Sequence, residues 1–177
     1  MNSHSHFPTV KEVIVDATER PICRPKDPEK QKEYFSGKKK RHTSKNLAAT
    51  SKDKKILVLT PSTTGKTHDK KIQDHEDIIG GIPDDIPVLA DLGFQGVQKQ
   101  YVNINLPHKK PRGGELTPEQ KQENRELAQE RVVCENAFSG VKRYHAVSDI
   151  YRNRVPKFDD KLMLTACGLW NFYLEAA

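Results

Sequence analysis

Cysteine is scarce in this 177-residue chain, at three positions, Cys23, Cys134 and Cys167, an odd number set far apart. No CxxC pair and no Cys/His ligand spacing occurs, which argues against a zinc site. The pattern is that of a cytosolic chain with reduced thiols. Long apolar runs are missing as well: none approaches the ~20 residues that span a bilayer, so no membrane partner is expected. The opening Met1-Asn2-Ser3-His4-Ser5-His6 has no signal-peptide core, and there is no internal repeat. A phosphate loop is also lacking. Ser62-Thr63-Thr64-Gly65-Lys66-Thr67 ends like one but has no first glycine, and Gly80-Gly81 and Gly113-Gly114 match no such pattern. His68-Asp69 has no companion His and Asp set for a metal phosphohydrolase. Asp69 reads as an acid favoured at a helix start. His68 is carried as a candidate neighbour of a site, although a lone histidine is more often structural.

Charge is what the chain has in quantity: 31% of residues are charged and the net charge is +6. The basic residues cluster. Lys38, Lys39, Lys40, Arg41 and Lys45 occur within a segment that has no acid; His108-Lys109-Lys110-Pro111-Arg112 forms a second group; Lys142-Arg143 with Arg152 and Arg154 forms a third. Any one cluster can be an ordinary solvated face. Three of them suit a polyanion, most often nucleic acid.

Three carboxylates occupy places that folding alone does not explain. Asp16 interrupts the apolar run Glu12-Val13-Ile14-Val15-Asp16-Ala17, and Asp91 ends Pro87-Val88-Leu89-Ala90. Glu135 borders the apolar side of a helix expected over 117–141, where Arg131, Glu135 and Lys142 fall at roughly 0°, 40° and 20° on the helical wheel. An Arg131–Glu135 ion pair at i,i+4 is the plain alternative for that stripe. Burying carboxylates is costly without a compensating cation. Hard oxygen ligands from two strand ends and a helix suit divalent ions acting on a phosphodiester.

The rest of the chain reads as mixed α/β. Residues 12–18 form a buried strand. Residues 20–32, with Pro21, Pro25 and Pro28, form a connection. Strands follow over 38–50 and 55–60, the latter central, then a helix from a Thr67 cap to about residue 79 and a short strand over 87–90. Residues 97–116 are a basic loop. Thr117-Pro118-Glu119-Gln120 is a capping-box helix start. A turn spans 146–156. A last helix spans 158–174, with Phe158, Leu162, Leu169, Phe172 and Tyr173 as its core stripe and Trp170 at the edge.

Four segments carry a family resemblance. They are Val15-Asp16-Ala17-Thr18-Glu19-Arg20-Pro21-Ile22, Tyr34-Phe35-Ser36-Gly37-Lys38-Lys39-Lys40, Ala90-Asp91-Leu92-Gly93-Phe94-Gln95-Gly96 and the stretch from Leu106 to Thr117. With them, the chain resembles the catalytic domain of DDE transposases of bacterial insertion sequences, of the insertion-sequence family five type related to Harbinger transposases. Arg131, Glu135 and Lys142 match the last three positions of the family's Tyr-x2-Arg-x3-Glu-x6-Lys signature, while Ala128 stands where its Tyr would be. The resemblance implies an RNase H-like mixed sheet flanked by helices over residues 11–177, with a basic insertion before the third acid. It implies a flexible stretch over 1–10 and absence of the family's N-terminal DNA-binding region. Asp16, Asp91 and Glu135 are then the catalytic, metal-binding triad for two Mg2+ ions, or Mn2+ in vitro. Lys38, Lys39, Lys40, Arg41, Lys109, Lys110, Arg112, Arg131, Lys142 and Arg143 are the expected DNA contacts. The implied chemistry is hydrolysis at transposon ends followed by strand transfer. The implied partners are terminal inverted repeats and target DNA, a second copy of the chain, and a separate N-terminal DNA-binding chain. The expected location is the bacterial cytoplasm, at the nucleoid. Two rival readings are an inactive or domesticated DNA-binding fragment and an RNase H-like nuclease without joining activity.

Overall fold

The structure, a computed structural model, describes residues 10–176. The expected loose stretch 1–10 therefore lies outside the described residues except for Val10. Strand β1 (Val13–Pro21) is the spine of the molecule. Its β-branched run Val13-Ile14-Val15 suits a strand buried on both faces. Strand β3 (Arg41–Ser51) pairs with it antiparallel along its whole length, from Val13↔Ser51 to Pro21↔Thr43. Side chains alternate across the sheet. Ile14, Ala48 and Leu89 enter one apolar cluster, whereas Val13, Val15, Leu47, Ala49 and Val88 enter the other.

On the far side of β1 lie two short parallel strands, β6 (Val88–Leu89) and then β7 (Ile104–Asn105). On the far side of β3 lie β2 (Phe35–Ser36), β4 (Ile56–Leu59) and β5 (Thr63–Thr64), all antiparallel to it. The sheet is thus mixed and seven-stranded. The apolar run at 55–60 is not central, as its composition suggested. β4 pairs only with β3, and Leu57 and Val58 are exposed.

The sequence reading also misses a helix. Residues 20–32 are no plain connection: β1 continues to Pro21, and α1 (Pro28–Tyr34) follows. Asp27 caps it by accepting from the amides of Glu29 and Lys30, and Pro28 takes the first helical position, where its missing N–H costs nothing. Helix α2 (Asp69–Glu76) starts after His68 rather than Thr67. It stops at Asp77, which adopts φ 49°, before a 3-10 turn at Ile79–Gly81. Helix α3 (Pro118–Val141) has the expected capping box: Thr117 Oγ1 accepts from the Gln120 amide and Gln120 Oε1 from the Thr117 amide. The stretch read as a turn contains α4 (His145–Ser148). Helix α5 (Phe158–Ala176) closes the described chain.

The rotation of α5 differs from the sequence reading. Met163, Ala166, Cys167 and Trp170 face the core, while Phe158, Leu169, Phe172 and Tyr173 are exposed and Leu162 is half-buried. Polar anchors set this phase. Asn171 both donates to the Ile56 carbonyl and accepts from its amide, each at 2.8 Å, and Trp170 Nε1 donates to the Lys54 carbonyl. At the other end, the buried Arg20 guanidinium donates to the Asp159 carbonyl. Buried amide and guanidinium groups are expensive to leave unmatched, so these bonds favour the rotation that buries Trp170 and exposes Phe172 and Tyr173. Helices α3 and α5 touch closely: a Cβ at Gly140 would overlap the Trp170 ring.

The three cysteines are free thiols. Burial pushes Cys134 up to about 12 and Cys167 up to about 11, so both behave as small apolar core groups. No helix among the described residues is long and apolar enough to cross a membrane.

Candidate active site

Two parallel strands deliver the first two acids. In the β1–β6 register Ile14 pairs with Leu89. Asp16 and Asp91 each lie two residues beyond that pair, so they emerge side by side from adjacent strands. Asp16 remains within β1 and accepts from the Ala17 amide at 2.8 Å. Asp91 follows β6 and caps the 3-10 turn Leu92–Phe94, accepting from the Gly93 amide at 2.7 Å.

Helix α3 brings Arg131 to both. Its Nη2 lies 3.5 Å from Asp16 Oδ2 and 3.9 Å from Asp91 Oδ2. The i,i+4 pairing with Glu135 considered from sequence is not the arrangement seen; Arg131 turns to the two aspartates. Its buried Nε has no partner among the described residues. Glu135, one turn further on, is exposed and lines the same pocket as Asp16, Asp91 and Lys142. That pocket encloses about 590 Å3. The sequence-predicted triad thus opens onto one space.

The electrostatics are strained in one direction. Burial pushes the Asp16 carboxyl up to about 6, against the pull of Arg131 and the Ala17 amide, and Asp91 and Asp69 push the same way as burial. Lys142 is lowered from its ordinary value by burial and by the neighbouring Lys39 ammonium, with Glu19 opposing. The pocket holds excess negative charge at its floor and crowded positive charge at its rim.

Three more polar residues belong here that sequence reasoning did not assign to it. Lys45, counted among the polyanion-binding cluster, is instead buried. Its Nζ donates to Asp69 Oδ1 at 3.1 Å and to the Thr67 carbonyl at 2.8 Å, and lies 3.9 Å from Glu19. Asp69, read as a helix-start acid, reaches the site as well. A Cβ on Gly93 would sit 2.7 Å from Asp91 Oδ1 and 2.8 Å from Asp69 Oδ2, so only glycine leaves room for both carboxylates. The register Lys45↔Glu19 across β1 and β3 is the signal that links these groups.

The other expected residues divide by position. Lys38, Lys39, His68 and Lys142 line the pocket. Lys40 and Arg41 are exposed next to it in sequence, at the start of β3. Lys109, Lys110 and Arg112 are exposed in the segment between β7 and α3, outside the pocket lining. Arg143 points elsewhere, with its guanidinium 5.7 Å from the Trp170 ring centroid and 5.9 Å from that of Tyr173. Ala128 is exposed on α3.

Among the described residues no group of three or more His, Cys, Asp or Glu side chains is arranged to hold a metal ion. The donor chemistry nevertheless fits one. Asp16 and Asp91 offer hard oxygens that already converge on a single cationic group, and the burial of Asp16 calls for positive charge beside it.

Residues 15–171 match the family model described as DDE superfamily endonuclease. The chain is also 35% identical over 162 residues to a probable transposase for insertion sequence element IS702 from Microchaete diplosiphon. That match covers 92% of this chain and 57% of the relative, so the chain spans a little over half of the relative's length. No solved structure matches. Two aspartates brought side by side by neighbouring strands, a helix-borne glutamate on the same pocket and these two likenesses agree: the chain belongs to the DDE superfamily of endonucleases, as a DDE transposase domain.

Proposed function

We propose that this domain cuts a DNA phosphodiester at the end of an insertion element and joins the freed 3′-hydroxyl to target DNA, on an RNase H-like fold. The observation that carries this reading is the Arg131 guanidinium held between Asp16 and Asp91 in a pocket that Glu135 also lines. Asp16, Asp91 and Glu135 would hold two Mg2+ ions, with Mn2+ as a substitute in vitro. Bound there, divalent cations supply Lewis acidity toward the attacking and leaving oxygens.

The chain's own residues do the rest. Burial holds the Asp16 carboxyl up, with Asp91 and Asp69 adding to it against the pull of Arg131, so an added cation beside it would favour its charged form. Arg131, released from the aspartates, pairs with phosphate oxygens in the planar geometry that guanidinium favours. Lys142, held below its ordinary value by burial and by Lys39 against the pull of Glu19, gains an anionic partner when a phosphate enters. Lys45 fixes Asp69 and the start of α2. In the first step a water oxygen bonds to phosphorus, the bond to the 3′-oxygen breaks, and the proton that the water gives up is matched by one taken up by the departing 3′-oxygen, which leaves as a hydroxyl. In the second step the 3′-oxygen bonds to a target phosphorus and a target 3′-oxygen departs. The first step spends a phosphodiester and the second exchanges one for another, without a covalent protein intermediate. The basic residues from Lys38 to Arg41, with Lys109, Lys110 and Arg112, hold the flanking backbone.

The test is incubation of the chain with labelled element-end duplex and target DNA, with Mg2+ and with chelator. Cation-dependent nicking followed by joined product is the expected result. Nicking without joining would favour the plain nuclease reading. Binding with no nicking in Mg2+ or in Mn2+ would favour the inactive fragment.

A further inference from the structure

A second basic depression, of about 690 Å3, lies at the other end of this surface, lined among others by Arg24, Lys26, Arg152, Arg154 and Lys157. Its acid, Asp159, is already engaged by the buried Arg20 and by the Ser62 hydroxyl, so the rim cations are not neutralised by it. The hydroxyl of Tyr151, also on its lining, is buried and has no partner among the described residues.

The two depressions share no lining residue, but two shallower ones join them. The first shares Glu19, Lys39 and Lys142 with the carboxylate pocket. It shares Pro21, Arg41 and Ser148 with the next, which in turn shares Arg152 with the basic depression. The path runs around the far end of β1 and the start of β3, with a cation at each stage: Lys39 and Lys142, then Arg41, then Arg152, then Arg154 and Lys157.

We propose that this path is one continuous DNA track. The phosphate backbone flanking the reacting bond leaves the carboxylate pocket past Lys39 and Lys142, crosses Arg41 and seats in the Arg152–Arg154–Lys157 depression. This rests on the reading of the carboxylate pocket as a phosphodiester site. A polyanion of regular spacing fits better than an acidic protein segment, because the track ends in the pocket where a phosphate is the expected guest. Ile150 and the acid Asp149 are exposed on the lining of the shared stretch, between the cations Arg41 and Arg152.

The experiment is a salt titration of binding to two duplexes, of about one and about three helical turns, comparing the whole chain with R152A/R154A. Both arginines are exposed and outside the carboxylate pocket. Loss of two phosphate contacts should lower the slope of log affinity against log salt by about 1.8 on the long duplex and leave the short one unchanged. R152K/R154K should restore the slope. An unchanged slope and an unchanged ratio of long to short affinity in R152A/R154A would overturn the track. If the unaltered chain nicks element ends but has no preference for the longer duplex, the track fails and the function stands. If it fails to nick yet shows a length preference that R152A/R154A removes, the function fails and the track stands. If it binds neither duplex, both fall.

Discussion

Helices α3 and α5 lie against the same apolar cluster, yet they show opposite chemistry to solvent. α3 buries small groups and Phe138 and turns Arg131, Glu135 and Lys142 toward the carboxylate pocket. α5 buries Met163, Ala166, Cys167 and Trp170 and leaves Leu164, Leu169, Phe172 and Tyr173 exposed. In α3 a charged stripe faces the carboxylates Asp16 and Asp91 and their pocket. In α5 four large apolar residues lie on the outer face, while Asn171 and the buried Trp170 are tied to the edge strand β4 and the turn before it. Directional bonds fixed the rotation, and apolar bulk did not.

The contrast predicts a hierarchy of effects. The largest belongs to chemistry. Glu135→Gln on α3 and Asp91→Asn beside it should each lower cation-dependent nicking by at least about 1000-fold while DNA binding and melting temperature hold, since neither carboxylate is needed by the core. Phe172→Ser on α5 should leave nicking unchanged. Activity retained in Asp91→Asn would remove that residue from the site. The next effect is on stability. Met163→Ala should cost about 2–5 kcal/mol by denaturant unfolding, and Leu164→Ala, one residue on, less than about 1 kcal/mol. Equal costs would mean that α5 is rotated from the phase described.

A smaller effect separates the site from the core. The folded Asp16 carboxyl is raised from 3.8 to about 6. A raised acid means that the folded state holds the proton more tightly, so this contribution to stability is complete below pH 3.8 and is lost as pH rises through about 6. In chelator, stability should therefore decline over that window. Asp16→Asn should flatten the decline and stabilise the protein at pH 7 by roughly 1–3 kcal/mol, while abolishing nicking. A steeper decline in the variant would reverse the assignment of cause. The smallest effect is at the insertion before α3. Lys109→Ala with Lys110→Ala should lower the salt slope of DNA binding by up to about 1.8, with no change in melting temperature. An unaltered slope would take that segment out of the interface.

What was legible in the sequence follows from the same physics. Strand β1, the capping box of α3 and the helix that carries Arg131 and Glu135 are local patterns; the capping box forms as expected, and β1 runs three residues past its expected end, to Pro21. The two-residue strands β2, β5 and β7 exist only through pairing with distant segments, so no periodicity announces them. Helix α1 was hidden because Pro28, which looks like a breaker, is its first residue. The edge position of β4 cannot be told from an apolar run. Lys45 and Asp69 were assigned to a basic cluster and a helix start because each matches a common local role. Their meeting requires the β3–α2 contact to be known. Arg131 was expected on phosphate and is found on carboxylates, a partner choice that depends on two strands folding next to its helix.

The contact between Gly140 and Trp170 lets α5 act as a gauge block for α3. Glu135 stands five positions before that glycine, on the same rigid rod. A methyl group added at 140 would wedge the rods apart and carry the glutamate away from the two strand-borne aspartates, although nothing at the pocket had been altered. The alignment of the triad is therefore calibrated from the opposite side of the helix that carries its third member.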